Sequence, residues 1–158
     1  MANLSGLKPM KEATRDEILT AAANGNAAAL QFLQVFAKRA HYVDDLTDER
    51  GPANPFELAA NEEEWLLCLS SNPFFLAHKA QLVPAMVVAL NAWVDSNGML
   101  GAPRDVVKGQ WHEVVFLVAW LTGGWSRLRG VSAQFRSYDF EEDVAQAAQG
   151  KECNGMLR

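Results

Sequence analysis

Apolar residues return at three- and four-residue steps through most of this chain, and nowhere do they alternate with a period of two for long enough to make a convincing strand. Spacing of that kind lines apolar side chains along one stripe of an α-helix. The clearest case runs from Asn26 to about Asp48, where Leu30, Phe32, Leu33, Phe36, Ala37, Ala40 and Val43 share the stripe. The predicted fold is therefore all-α: a single-domain bundle of about six helices over residues 14–150, with a loose arm over 1–13 and a polar tail over 151–158. The 158 residues suit one domain and can bury a real core.

Capping and breaking residues set the predicted boundaries. Thr14 with Glu17 three positions on forms a capping box for a first helix, which reaches Ala23 and stops at Asn24-Gly25. After the second helix, Gly51-Pro52 and Asn54-Pro55 impose a loop. Asn61 is expected to cap a third helix, Glu62–Ser71, with its three glutamates in the first turn where the helix dipole favours negative charge. Asn72-Pro73 ends it. The segment Ala80–Asp95 is expected to be a central helix, because Leu82, Val83, Met86, Val87, Val88, Leu90, Trp93 and Val94 leave almost no polar face. Pro84 suits only its first turn. A fifth helix begins near Pro103 or Arg104, Gly123-Gly124 interrupts it, a sixth covers Trp125 to about Arg136, and an amphiphilic piece spans Tyr138–Gln149.

Charge and cysteine content narrow the function classes. A net charge of −5 and the lack of a long basic stripe disfavour nucleic acid as a partner. Cys68 and Cys153 are too few for a disulfide framework or a structural zinc site, and read as free thiols of a cytoplasmic protein. The first residues lack the apolar core of a signal peptide, and the longest apolar run, Leu82–Leu90, falls short of the ~20 residues that span a bilayer, so no membrane span is expected.

The chemically unusual feature is the acidic end of the second helix, His41-Tyr42-Val43-Asp44-Asp45-Leu46-Thr47-Asp48-Glu49. At ~100° per residue, His41, Asp44, Asp45 and Asp48 fall in one sector at the rim of the core. Acids at a helix C-terminus oppose the macrodipole and repel one another at three- and four-residue spacing. One reading is a solvated rim, with Lys38 and Arg50 offsetting the charge. The other is a Mg²⁺ site, since hard cations take carboxylate oxygens and keep open positions for a phosphorylated ligand. In that reading Asp44, Asp45 and Asp48 hold the metal and His41 orients a carboxylate or ligand oxygen.

Residues 36–49, Phe36-Ala37-Lys38-Arg39-Ala40 running into the acidic end, resemble the first aspartate-rich motif of isoprenoid synthases, most closely the squalene and phytoene synthase type. The resemblance implies an all-α fold in which Asp44, Asp45 and Asp48 bind Mg²⁺ ions that hold a prenyl diphosphate. Such enzymes carry a second acidic motif on a facing helix; here Asn91 and Asp95 have the spacing, and Asp139-Phe140-Glu141-Glu142-Asp143 supplies acids without the motif. The same acids with Glu62, Glu63 and Glu64 loosely suit the all-α nucleoside triphosphate pyrophosphohydrolases.

Other candidates are weaker. Arg127 and Arg129 follow Gly123-Gly124, where free backbone N–H groups and two guanidiniums could take an anion. His112-Glu113 reads as a pair at the core boundary and His78 as part of a solvated turn. Trp65, Trp93, Trp111, Trp120 and Trp125 are core or interface residues, and an exposed subset would form an aromatic face for a protein partner or a second copy. The alternative to a metal-dependent enzyme is thus a non-enzymatic helical interaction or assembly protein.

Overall fold

A computed structural model describes residues 14–47, 54–100 and 102–155, with side chains as far as Ser137 except at 47, 102 and 105. The arm over 1–13, Asp48 and the Gly51-Pro52 loop lie outside the described residues, and Asp139–Asp143 lie beyond the described side chains. Among the described residues every regular element is helical: α1 (Arg15–Ala23), α2 (Ala27–Thr47), α3 (Pro55–Ser71), α4 (Pro73–Ser96), α5 (Ala102–Lys108), a 3₁₀ turn at Gly109–Trp111, and α6 (His112–Gly155). The all-α bundle is as expected, and the differences lie at the helix ends.

α1 begins on the Thr14–Glu17 capping box and ends at Asn24, which adopts the left-handed conformation (φ 50°). α3 starts seven residues earlier than Asn61 implies. Asn54 is its cap, accepting from the Phe56 N–H, and Pro55 is its first residue. Glu62–Glu64 consequently sit in the middle of α3, not in its first turn. They face α2 instead: Glu62 pairs with Arg39, and Glu64 with Lys38 at 2.5 Å.

α4 is also longer than predicted. Asn72 caps it by accepting from the Phe75 N–H, and Pro73 opens it. Pro84 is therefore an interior residue of a 24-residue helix. His78, expected in a turn, lies in α4 with its ring 4.7 Å from that of Phe74. Asn72 itself is 2% exposed and donates to the Ala28 carbonyl (2.9 Å) and to Gln31 Oε1 (3.2 Å), so one side chain ties the α3–α4 corner to α2.

The core gathers around Phe32. Its ring meets Phe36, Phe74 and Phe75, and Phe36 carries the cluster on to Trp65 and Trp111. Phe135 closes the far side against Trp111, His112 and Phe116. Phe32 meets the start of α4 and Asp44 meets its end at Trp93, so α2 and α4 run in the same direction. The expected fifth helix is divided into α5, the 3₁₀ turn and the start of α6. Gly124 (φ 66°, ψ −160°) marks the expected break inside α6, but helical structure resumes immediately and continues to Gly155, into the segment read as a tail.

α4 is central in that it packs against α2, α3, α5, the 3₁₀ turn and α6, but it is not covered on every side. One stripe of it, Phe75, Leu82, Ala89, Ala92 and Ser96, is buried, while Leu76, Val83, Val87, Val88, Leu90 and Val94 are exposed. Its most apolar 18-residue window has mean hydropathy 1.4, and only 22% of that window is buried. By length and composition α4 could cross a membrane.

Candidate functional site

The acidic end of α2 is the first place to build a site. Asp44 stands on the side of the helix that meets α4, and its Oδ1 accepts from the Trp93 indole N–H at 3.2 Å. The ammonium of Lys108, the last residue of α5, lies 2.8 Å from the same oxygen. Asp44 is thus a junction of three helices, with a cation already seated on it. His41 takes a hydrogen bond from the Arg15 guanidinium at its Nε2, which joins it to α1. Asp45, the next residue, is exposed. The Tyr42 hydroxyl is buried and has no hydrogen-bond partner among the described residues.

The facing-helix candidates do not converge on Asp44. Asn91 and Asp95 flank Trp93 by two positions each, which puts them about 160° around α4 from the indole. Both are exposed, and Asn91 Nδ2 donates to Asp95 Oδ2 at 3.0 Å. Among the described residues no three His, Cys, Asp or Glu side chains come together as metal ligands would. Asp48, the remaining member of the motif, lies outside them.

Arg127 and Arg129 are occupied differently from each other. Arg127 donates to Asn24 Oδ1 at 2.5 Å, while Asn24 Nδ2 donates to the Thr122 carbonyl and the Thr122 hydroxyl to the Ala22 carbonyl. This lock joins the end of α1 to the bend of α6. Gly123 is needed there, because a Cβ would lie 2.6 Å from that of Arg127. A groove of about 390 Å³ passes beside it, bordered by Ser126, Gly130 and Gln134. Arg129 lies over the Trp125 ring, 5.9 Å from its centre.

A second groove, about 450 Å³, runs between α2 and α3 past Gln31, Lys38, Glu64 and Cys68. The Cys68 thiol is held above its ordinary value of 9.0, first by burial and then by the charge of Glu64. A raised thiol pKa leaves less thiolate, which is the opposite of what a nucleophilic cysteine requires.

The surface that sequence reasoning missed is the outer side of α4. A helix without a polar face suggests a central position, yet the same composition supports one stripe in the core and another in solvent. The exposed tryptophans are Trp120 and Trp125 on α6, whereas Trp65, Trp93 and Trp111 are partly buried against neighbours. The open face of α4 is accordingly aliphatic, not aromatic. Comparison with protein-family models, curated proteins and solved structures finds no match to the chain.

Proposed function

We propose that this chain works by association, as a non-enzymatic helical interaction protein whose docking surface is the outer side of α4. The observation that carries this reading is the set Leu76, Val83, Val87, Val88, Leu90 and Val94, all exposed on one helix. Full burial of a valine or leucine side chain is worth roughly 1.5–3 kcal/mol, so an apolar strip of this kind gains from being covered. Strips much larger than scattered single residues mark interaction sites in soluble proteins.

The Mg²⁺ reading of Asp44, Asp45 and Asp48, with a phosphorylated ligand, rests on acids set against a helix dipole. Lys108 weakens it. Its ammonium takes the position a metal would occupy at Asp44 Oδ1 and relieves the same repulsion. A metal bound through that oxygen would compete with Lys108 and the Trp93 indole for it.

The docking reading is tested by selecting displayed helical peptides on the full chain, with a Val87→Glu chain as counter-target. Peptides with apolar residues at three- and four-residue steps that bind wild type and not the variant are expected. A selection that returns none, or only peptides that bind both chains equally, refutes the proposal.

A further inference from the structure

We infer that the occupant of the α4 face is a second copy of this chain, docked antiparallel along α4; the inference rests on the docking reading above and names its partner. The exposed residues are not scattered. Leu76, Ala80, Val83, Val87, Leu90 and Val94 follow one another at steps of four, three, four, three and four, and all six are exposed. That is an uninterrupted heptad seam, within roughly an 80° sector at ~100° per residue. It is separate from the core stripe through Phe75, Leu82 and Ala89. A seam with this period is met by another helix packing knobs into holes, not by an irregular loop or a sheet edge.

Volume along the seam selects its own reverse as the match. About a midpoint between Val83 and Val87, antiparallel copies set Leu76 against Val94, Ala80 against Leu90, and Val83 against Val87. The smallest seam residue, Ala80, is then filled by a leucine, Leu90, while Val83 and Val87 meet as equals. A parallel pair would set Ala80 against Ala80 and leave a gap in its second layer. Charge agrees. Antiparallel packing lays the end bearing Lys79 beside the end bearing Asp95 and opposes the two helix dipoles, whereas a parallel pair brings like ends together. A twofold contact of this kind uses the same patch twice and closes on itself.

A lipid surface fits less well. Helices that lie on membranes carry many lysines and arginines on the polar side, while α4 has only Lys79 and the chain is −5 overall. Spanning a bilayer would pull Phe75, Leu82 and Ala89 out of the core. From Leu76 to Val94 the seam is about 27 Å long. At a helix width of ~11 Å it covers roughly 300 Å² per copy, below the ~800 Å² of a standard interface side. The pairing is therefore reversible and concentration-dependent.

Sedimentation equilibrium of the full chain, from low micromolar to near-millimolar, is expected to show monomer and dimer in exchange. Val87→Glu is expected to weaken the dimer at least about tenfold with circular dichroism unchanged, and Val87→Gln to act in the same direction without adding charge. On a Cys153→Ser background, a Val83→Cys chain and a Val87→Cys chain should cross-link to each other faster than either does to itself. A dimer indifferent to both Val87 substitutions, or faster cross-linking between like variants, overturns the inference. A wild-type chain that stays monomeric also overturns it, but leaves the docking reading standing if the peptide selection succeeds. A monomer that binds phosphatidylcholine vesicles through Val87 overturns both.

Discussion

Replacing Asp44 by asparagine keeps an acceptor for the Trp93 indole and removes the charge that Lys108 pairs with. Both charged side chains are under a third exposed (21% and 28%), so the loss is not fully screened, and urea unfolding is expected to show a fall of about 1–2 kcal/mol. Under the association reading, millimolar Mg²⁺ leaves the thermal midpoint unmoved in wild type and variant alike. A rise in wild type alone would restore the metal reading. Cys68 gives a pH signature. Its raised pKa favours the neutral thiol in the folded state, so that contribution is complete below the ordinary thiol value of 9.0 and is lost as pH climbs through the folded value. Alkylation at neutral pH should run more slowly than in the unfolded chain, and stability should decline above about pH 9, less steeply in Cys68→Ser. Equal alkylation rates, folded and unfolded, would contradict the burial of this thiol. Little of this residue-scale pattern was legible in the chain. The aspartates and their conflict with the dipole were visible, but their relief comes from Trp93 and Lys108, side chains brought in by tertiary packing with no local signal.

At the scale of elements, the sequence was most informative where caps act locally and least where proline was read as punctuation. The Thr14–Glu17 box and the Asn24-Gly25 stop mark α1 because both depend on residues within one turn. As punctuation Asn54-Pro55 and Asn72-Pro73 suggest a loop and a stop, yet each is a cap followed by a first-turn proline, the two-residue signature of a helix start. Reading them so would have lengthened α3 and α4 and moved Pro84 into a helix interior. That position makes a prediction. Proline there removes an N–H from the ladder and crowds the preceding turn, and Pro84 is exposed, so Pro84→Ala loses no core packing. Guanidinium unfolding is expected to show a gain of roughly 2 kcal/mol, the helix-interior cost less the entropy that proline removes from the unfolded chain. No gain would mean that the backbone geometry proline imposes at position 84 is needed by the surrounding packing. Asn72→Ala should do the reverse. Losing the cap while leaving the Ala28 carbonyl without its buried donor is expected to cost about 2–3 kcal/mol in the same measurement.

At the scale of the molecule, an all-α bundle of the expected size is what the three- and four-residue periodicity described, because that spacing reports a helix whatever it packs against. It does not report how many sides of a helix are covered, so the open side of α4 is not legible in it. Gly124 belongs to the whole fold more than to α6. Its φ of 66° with ψ of −160° is open to glycine and strained for other residues. Gly124→Ala is therefore expected to destabilise the protein by more than 1 kcal/mol, read by thermal unfolding; an unchanged midpoint would mean that the bend can relax. The lock that the bend serves, Asn24 to Thr122 and Arg127, joins positions separated by 98 and 103 residues. On a translating ribosome that distance becomes time. At ~5–20 residues per second, α1 emerges roughly 5–20 s before α6, the helix that covers it. Through that interval the buried side of α1, Ile18, Leu19 and Ala22, has no α6 to rest on, so the closing of the bundle waits for the last helix to leave the ribosome.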